Sequence, residues 1–427
     1  MAVPVIKAAL LGLGTVGTGV YKVLGRQKEE IEKRTGARLE LKKILVRDRK
    51  KTRKGVDASL LTDSWEEILA DEEIQIIIEV MGGTGPAGDR ILDALHAGKQ
   101  VVTANKDLVA ERGRELYQAA EETGADFLFE AAVAGGIPII RPLKQCLAAN
   151  EIDEVMGIIN GTTNYILTRM YEDGMEFDEA LEQATQLGYA EADPTADIEG
   201  LDAGRKLAIL SSAAFHSRVE FADVYTEGIT GITARDILYA REFDCVIKLL
   251  GVARKTEAGI EAGVYPMMIQ KDHPLASVRD SFNAVFVHGD AVGDTMFYGR
   301  GAGELPTASA VVGDVMDVMR NLLAGCTGRI GSGCYRDLPA VPRRKTRNRF
   351  FLRLQVPNQP GILAQIARVF GEHRVSIERV VQKDSKEAMA ELGIGTASVE
   401  EGHFWDALEE VEKLEAVSEI SSVIREY

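Results

Sequence analysis

The stretch GYAEADPTADIEGLDAGRK, residues 188–206, concentrates carboxylates in a loop broken by glycine and proline and ends on a lysine. Asp202 and Lys206 are four residues apart at the start of an apolar segment, so we predict that they share one face of a helix. One interpretation is a surface ion pair worth about 0.5 kcal/mol. The other is a pocket in which loop acids, including Glu191 and Asp197, bind an ammonium group. Lys206 would then donate a proton, provided that burial or a nearby cation lowers its pKa.

A second lysine stands in TANKDL, where Lys106 follows a predicted strand and opens a predicted helix. The carboxyl edge of a parallel sheet is where α/β proteins bind ligands. The alternative is an ordinary surface lysine, although the helix dipole disfavours a cation at this position. This local misfit favours a functional role for Lys106.

The stretch NGTTNYIL, residues 160–167, places small polar residues directly before another predicted helix. Thr162 or Thr163 would either cap that helix or bind a carboxylate at its N-terminus. The two roles are compatible, and the sequence leaves both open.

Two glycine-rich stretches indicate close approach of the backbone to a ligand. Gly12, Gly14 and Gly17 form GxGxxG between a predicted strand and helix, which is the arrangement that admits a dinucleotide pyrophosphate. A glycine turn that only packs the helix on the strand is the alternative. In GRGAGELPTASA, either a plain turn or a ligand accounts for the glycines Gly299, Gly301 and Gly303.

The end of the second predicted strand bears on the choice of dinucleotide. The acid that usually binds the ribose of NAD is missing about 20 residues after the glycine motif. The strand ends at Val46 and is followed by Arg47, Asp48, Arg49, Lys50 and Lys51. Basic side chains suit a 2′-phosphate, so NADP is favoured, although Asp48 would still serve NAD.

These residues are positioned by strands and helices that alternate along the first part of the chain. We predict strands at VIKAALLGLG, LELKKILV, IQIIIEV, QVVTA and DFLFEAAV, with helices between them. Such alternation builds a doubly wound parallel sheet of the Rossmann type. After about Pro142 the pattern changes to antiparallel-looking strands mixed with amphipathic helices. We interpret the basic run RRKTRNR, residues 343–349, as part of a solvated linker.

Composition excludes several classes of partner and site. The formal net charge of -16 over 427 residues argues against nucleic acid, which requires a basic face. No apolar run approaches the length of a membrane span. Four cysteines without CxxC spacing indicate reduced thiols and a cytoplasmic protein. Six scattered histidines predict no zinc or iron site.

The motifs GLGTVG, TANK, NGTTNYIL, GYAEADPTADIEGLDAGRK and GRGAGELPTASA, in this order, resemble homoserine dehydrogenase over essentially the whole chain. The resemblance implies reduction of L-aspartate 4-semialdehyde to L-homoserine with NAD(P)H, a step toward threonine and methionine. It also implies that Lys206 is the proton donor, a role that Lys106 beside the nicotinamide would share. Asp202, Glu191, Asp197 and Thr162 would bind the substrate.

The same resemblance implies a set of cofactor contacts and a sodium ion. The cofactor contacts would come from the glycine loop, the second strand end, the TANK stretch and the later glycine stretch: Gly12, Leu13, Gly14, Thr15, Val16, Gly17, Arg47, Thr103, Lys106 and Gly303. The loop FEAAVAGGIPI would bind sodium, mostly through backbone carbonyls, at Glu130, Val133, Gly135 and Ile137. Oxygen ligands suit a hard cation, but an ordinary loop has the same sequence pattern.

The C-terminal segment, with VPNQPGILAQIARVFGEHRVSIERVVQ, resembles an ACT domain of βαββαβ topology. Such domains often bind amino-acid effectors, and threonine is the natural candidate. Asn358 stands where many ACT domains have aspartate, and Ser398 also departs from the common pattern. A dimerising module without a ligand is therefore the alternative. The family habit of pairing through the substrate domain implies a homodimer or homotetramer.

These observations predict five consecutive segments of the chain. They are a Rossmann NAD(P)-binding domain, an α+β substrate-binding and dimerisation domain, a helix returning to the first domain, a linker and an ACT domain. Their predicted boundaries are residues 1–142, 143–305, 306–335, 336–349 and 350–427.

Two rival functions make different demands on the sequence. Aspartate-semialdehyde dehydrogenase handles the same aldehyde through a thioester and needs an activated cysteine with a partner histidine. Cys146 lies in an apolar run, and no other cysteine has a base nearby in sequence. A nucleotide-sensing regulator would not need Lys106, Lys206 and Asp202 together. Their joint presence favours the dehydrogenase.

Overall fold

The computed structural model describes residues 3–384 and 389–427. The chain divides into two compact units, each assembled from separate stretches of sequence. The first unit comprises Met1–Val155, Arg205–Asp223 and Phe282–Asp337, and the second comprises Met156–Gly204, Val224–Ser281 and Leu338–Tyr427. The predicted order of consecutive domains therefore does not describe this packing, because each unit recruits stretches that are far apart in sequence.

The first unit contains a six-stranded parallel sheet with the order β3-β2-β1-β4-β5-β6. This order confirms the predicted Rossmann topology. Its elements are β1 (Val5–Leu11), α1 (Thr15–Arg26), α2 (Lys28–Thr35), β2 (Arg38–Leu45), β3 (Leu61–Thr62), α3 (Trp65–Leu69), β4 (Ile74–Glu79), α4 (Pro86–His96), β5 (Gln100–Thr103), α5 (Lys106–Thr123) and β6 (Phe127–Leu128).

Local chemistry explains where these elements begin and end. The branched residues of IQIIIE suit a strand that is buried on both faces, and β4 is buried at five of its six positions. Pro86 occupies the first turn of α4, where its missing N–H costs nothing. Gly124 ends α5 in the left-handed conformation. The predicted strand DFLFEAAV is only partly correct, because β6 stops at Leu128 and a 3-10 turn follows over Glu130–Ala132.

The middle of the chain contains successive stretches that belong to different units. Its elements are β7 (Ile152–Ile158), α6 (Gly161–Asp173), α7 (Phe177–Gln186), α8 (Thr195–Ile198), α9 (Leu201–Phe215), β8 (Tyr225–Thr226), α10 (Ala234–Glu242), β9 (Cys245–Thr256), β10 (Gly259–Gln270), β11 (Phe282–Gly289), β12 (Gly293–Arg300) and α11 (Glu304–Ala324). In the first unit β11 and β12 form an antiparallel hairpin, and α11 packs on the Rossmann core through Val311, Val315 and Val318. Among the described residues, no helix has the length and apolar character needed to cross a membrane.

The C-terminal module has the predicted βαββαβ arrangement, with one additional short strand. Its elements are β13 (Arg347–Pro357), α12 (Ile362–Glu372), β14 (Ile377–Asp384), β15 (Met389–Thr396), β16 (Val399–Glu400), α13 (Glu401–Glu412) and β17 (Glu419–Glu426). Within the second unit the strand order β9-β10-β17-β13-β15-β14 makes one continuous sheet. The module has its own hydrophobic core, built on Phe350, Ile366 and Phe404.

The predicted solvated linker is wrong for several residues of the basic run. β13 begins at Arg347, three residues before the predicted boundary. Arg343 lies 3.0 Å from Glu401 and 3.8 Å from the centre of the Tyr225 ring. Asn348 is buried and donates to the Glu401 carboxylate at 2.8 Å. Partners distant in sequence therefore order this segment, and composition alone does not reveal them.

Candidate active site

The GxGxxG motif forms the turn between β1 and α1 in the first unit. Gly12 has φ of 102°, which favours glycine, and its N–H donates to Leu45 O at 3.0 Å. A methyl group at Gly17 would overlap the Gly12 carbonyl, so this position needs glycine to bring the helix onto the strand. Gly14 caps α1 and faces open space. The turn therefore has the shape and free backbone that a pyrophosphate needs, and Leu13, Thr15 and Val16 belong to the same turn.

We expect Gly17→Ala to weaken NADPH binding by about 10²-fold, because relieving the overlap moves the turn and costs about 3 kcal/mol. Gly25→Ala is the matched control, since Gly25 lies on the same helix with open space around it. It should leave the cofactor Kd unchanged and stabilise α1 slightly. Fluorescence titration of NADPH measures both variants, and equal affinities for the two would contradict the role of the turn.

The end of β2 carries an exposed basic cluster. Arg47, Arg49, Lys50 and Lys51 are all exposed. The Asp48 carboxylate accepts the Lys50 N–H at 2.8 Å, and Arg53 donates to the Asp48 carbonyl at 3.0 Å. Asp48 is thus engaged in its own turn, whereas its basic neighbours face solvent. This arrangement suits an added phosphate better than a ribose hydroxyl.

Lys106 is positioned by a network of buried polar groups at the ends of β4 and β5. Glu79 is fully buried and accepts hydrogen bonds from the Thr103 hydroxyl at 2.6 Å and from the Met81 N–H at 2.6 Å. The Asn105 side chain donates to Gly83 O at 2.7 Å and accepts from Leu108 N, which caps α5. Lys106 is the first residue of this capped helix.

Glu79 and Asn105 are thus positioning residues that the sequence analysis missed. An acid that closes an otherwise apolar strand and an asparagine directly before a helix were the available indications. The Thr103 hydroxyl is directed to Glu79, so a cofactor contact from Thr103 would involve its backbone.

The first unit also brings the start of α5 to α9. Arg205 Nε lies 3.4 Å from Asp107 Oδ1. Lys106 and Lys206 are the sequence neighbours of these two paired residues, and both are half-buried. The start of α5, with Lys106, therefore lies within reach of an arginine side chain from the part of α9 that carries Lys206.

In the second unit, the side-chain amide of Asn160 joins the start of α6 to part of the acidic loop. Asn160 Nδ2 donates to Asp197 Oδ1 at 2.7 Å and to Asp202 Oδ2 at 2.9 Å. Thr162 Oγ1 lies 2.7 Å from Tyr189 O and 3.1 Å from Asp197 Oδ2. Asp202 is 7% exposed. These contacts exclude the surface ion pair as the whole explanation of Asp202, because its carboxylate is buried within a polar cluster.

The helix cap differs from the prediction, because neither threonine caps α6. The N-cap is Asn160, whose Oδ1 accepts the Thr163 N–H at 2.9 Å. Asparagine is among the best capping residues, so the sequence NGTT contained this information. Capping by Asn160 leaves the Thr162 hydroxyl to contact the acidic loop.

The acids of residues 188–206 do not form one pocket. Asp193 accepts the Thr195 N–H at 3.1 Å and is exposed, and Glu199 lies 3.3 Å from the Thr230 hydroxyl. Glu191 is exposed in the loop before α8. The predicted cluster therefore separates into a pair around Asn160, of which Asp202 is buried and Asp197 half-buried, and a more exposed group.

The loop predicted to bind sodium has an unusual backbone, and backbone N–H groups engage its one carboxylate. The Glu130 carboxylate accepts three backbone N–H groups, from Ile139 at 2.5 Å, Ile140 at 2.8 Å and Arg141 at 2.8 Å. Ala134 and Gly135 both have positive φ. Among the described residues, no group of three or more histidine, cysteine or acidic side chains is arranged to hold a metal. Any cation here would depend on carbonyl oxygens, and the loop residues Val133, Gly135 and Ile137 lie outside helices and strands.

The second glycine stretch meets this loop, and the residue that follows its last glycine meets helix α1, both within the first unit. A methyl group at Gly135 would overlap the Gly301 carbonyl, and one at Gly19 of α1 would overlap the carbonyl of Glu304. Gly303 has φ of 127° and caps α11. Gly303 therefore directly precedes the residue that packs against α1, and a cofactor contact from Gly303 stays a prediction.

Three family profiles match successive parts of the chain. They are "Homoserine dehydrogenase, NAD binding domain" over residues 12–130, "Homoserine dehydrogenase" over residues 138–316 and "ACT domain" over residues 350–416. Homoserine dehydrogenase of Bacillus subtilis is 42% identical over 423 residues, covering 98% of each chain. That of Corynebacterium glutamicum is 45% identical over 423 residues, covering 98% of this chain and 94% of the relative.

Solved structures agree with the sequence comparisons. A homoserine dehydrogenase from Thiobacillus denitrificans superimposes with a TM-score of 0.94 at 43% identity, covering 99% of this chain and 98% of that one. A hyperthermophilic archaeal homoserine dehydrogenase in complex with NADPH gives a TM-score of 0.62 at 26% identity, covering 74% of this chain and 97% of that one.

Proposed function

The chain belongs to the homoserine dehydrogenase family, and from this premise we propose how its residues divide the work of the reaction. The reaction is the NAD(P)H-dependent reduction of L-aspartate 4-semialdehyde to L-homoserine. The bound nicotinamide supplies a hydride to the aldehyde carbon. The residues of the chain must then hold the substrate, stabilise negative charge on the carbonyl oxygen and deliver one proton to it.

Lys206 is the proton donor in this proposal, and Lys106 lies beside the reacting centre. The ion pair between Arg205 and Asp107 is the observation that supports the assignment most directly, because it brings the backbone positions next to both lysines together. A cationic acid near the carbonyl stabilises the developing oxyanion before it protonates it.

The substrate is an α-amino acid, so it brings one ammonium and one carboxylate. Asp202, with Asp197 and Glu191, binds the ammonium in this proposal, and the start of α6 at Thr162 binds the carboxylate. The bonds from Asn160 to Asp197 and Asp202 support the assignment of the ammonium group, because they fix two carboxylates side by side.

The first test is consumption of NADPH and NADH by the purified protein with aspartate semialdehyde, run beside Lys206→Ala. Turnover by the wild type with a large loss of kcat in the variant supports the assignment. If the variant keeps its rate, then Lys106 or water is the acid. The thioester alternative would need an activated thiol, and burial instead raises the pKa of Cys245 to about 11 and raises that of Cys334.

We also propose a preference for NADP, with Arg47 binding the 2′-phosphate. We expect Arg47→Ser to raise the KM for NADPH about tenfold and to leave the KM for NADH nearly unchanged, because it removes one charge-assisted contact that only NADPH makes. Arg34→Ser is the control, since Arg34 is an exposed arginine of α2 in a surface ion pair with Glu30 at 3.8 Å. An equal rise in the KM for NADPH and for NADH would contradict the assignment of Arg47 to the 2′-phosphate.

A sodium ion bound by the carbonyls of Glu130, Val133, Gly135 and Ile137 is a further part of the proposal. The donor set suits a hard cation, since carbonyl oxygens are its preferred ligands. The carboxylate of Glu130 would act indirectly, because its hydrogen bonds to three backbone N–H groups hold the loop in shape.

We further propose that the ACT domain binds threonine as an effector and that the protein is a homodimer or homotetramer. It would act in the cytoplasm, in the biosynthesis of threonine and methionine. Asn358 accepts a hydrogen bond from Gln382 at 3.3 Å, and α12 begins after Gly361, which has φ of 91°. This strand-to-helix turn is where an amino-acid effector would bind. The four cysteines are free, which is consistent with a reducing compartment.

A further inference from the structure

A cavity of about 550 Å³ lies within the first unit, away from the glycine turn. Its walls come from the middle of α5, the middle of α9 and the segment that follows α11. This volume is typical of pockets that hold small molecules. None of the residues assigned above to cofactor, substrate or sodium lines it.

Lys144 places an ammonium group at the wall of this cavity. Its Nζ donates to the Tyr117 hydroxyl oxygen at 2.6 Å and to Gly331 O at 3.0 Å. It also lies 4.8 Å from the centre of the Tyr117 ring and 5.5 Å from that of Phe129. In the part of the chain that the structure describes, no carboxylate lies within 4 Å of this nitrogen. The burial of a cation without a counter-charge is costly, and the reaction above does not use Lys144.

The other residues that line the cavity indicate which class of ligand would bind beside the Lys144 ammonium group. Val109, Ile209 and Val219 supply apolar surface. Arg114 and Arg218 add positive charge, against Glu121 and Asp337, so the lining has one net positive charge in a protein of net charge -16. Burial also raises the pKa of the Tyr117 hydroxyl, which therefore stays protonated and can donate to an anion. An anionic group attached to an apolar body satisfies both kinds of surface.

We propose that this cavity binds a small organic carboxylate with an apolar body, its carboxylate on Lys144 and Tyr117 and its body against α5 and α9. The position of the cavity allows a bound ligand to affect catalysis. α5 begins at Lys106 and α9 carries Lys206, and the cavity is lined by residues about one turn further along each helix, at Ala110 and Ile209. An occupant that shifts either helix changes the position of a catalytic lysine, so binding also changes kcat.

The test compares benzoate with neutral benzamide, which has nearly the same shape, by calorimetry on the full-length protein saturated with NADPH and homoserine. Saturation keeps the probes out of the substrate site. We expect benzoate to bind at least about tenfold more tightly than benzamide, because only benzoate gains a charge-assisted contact. Burial lowers the pKa of Lys144 to about 8, so benzoate affinity should fall as the pH rises through that value.

Lys144→Gln keeps a hydrogen-bonding side chain but removes the charge, and it should weaken benzoate about tenfold or more. Lys99→Gln is the matched control, because Lys99 is a buried lysine whose ammonium group, like that of Lys144, donates to backbone carbonyl oxygen, at 2.8 Å to Asp71 O and Ile74 O. It should leave benzoate binding unchanged. If Lys144→Gln does not fold, Tyr117→Phe provides the same comparison with the ring retained.

Three results would overturn the proposal. They are no benzoate binding by the wild type at millimolar concentration, equal binding of benzoate and benzamide, and benzoate affinity that is unaffected by Lys144→Gln or Tyr117→Phe. A change in kcat with bound benzoate that disappears in the variant would support the proposed route through α5 and α9.

Discussion

Lys206→Ala is expected to lower kcat by about 10²–10⁴-fold, the range over which a positioned general acid contributes. Without the ammonium group, the alkoxide formed by hydride transfer must wait for water. The KM for NADPH should stay near its wild-type value, because the glycine turn that holds the cofactor is unchanged. Steady-state rates in both directions, with homoserine and with aspartate semialdehyde, measure the loss.

Two comparisons separate a proton donor from a residue that only holds structure. Added primary amines should restore part of the rate of Lys206→Ala, and the restored rate should vary with the pKa of the amine. Lys106→Ala tested in the same way shows whether the second lysine shares the role. If amines restore Lys106→Ala and leave Lys206→Ala inactive, the two assignments must be exchanged.

Asp202→Asn is expected to lower kcat/KM by about 10²–10³-fold, mainly through the KM of the amino-acid substrate. Asp202 is only 7% exposed, so the ammonium group that it binds in our proposal has little water to replace it. Removal of one partner from a buried charge pair costs about 3–4 kcal/mol, which corresponds to this factor. The amide has the same size, so the bond from Asn160 to the remaining oxygen can persist.

Asp193→Asn provides the matched control for Asp202→Asn. Asp193 is an acid of the same loop, but it is exposed and its hydrogen bonds come from Thr195, including the N–H at 3.1 Å. Its substitution should change kcat/KM by less than about threefold, in line with a surface residue. Similar losses for the two variants would mean that the loop acts through its overall charge, and Asp202 would lose its particular role.

The glycine turn and the parallel sheet were predictable because their rules are local. Gly12 and Gly17 follow from the conformation and the packing of a strand-to-helix turn, and both are confirmed as positions that only glycine fits. The alternation of branched strands with helices predicted a parallel sheet of the Rossmann type, which the structure confirms. β9 was not predicted, since its apolar run CVIKLLGV fits a buried helix as well as a strand.

The candidate site was predictable as a set of residues but not as an arrangement. Asp202 and Lys206 share α9 because of helical periodicity. The bonds from Asn160 to Asp197 and Asp202 join residues 37 and 42 positions apart, and no local pattern indicates them. For the same reason, the sequence did not reveal that Glu79 supports the TANK stretch or that Lys144 lines a cavity.

The sequence by itself therefore determined the strands and helices that carry the chemistry, the glycines of the cofactor turn and the family to which the chain belongs. These depend on interactions within a few residues, which leave a pattern in the order of amino acids. Only the tertiary structure decided which acids are buried, which residue caps α6, how the basic run before β13 is ordered and how distant stretches combine into two units. Those outcomes depend on contacts between residues that are distant in sequence, and these contacts form only when the chain packs.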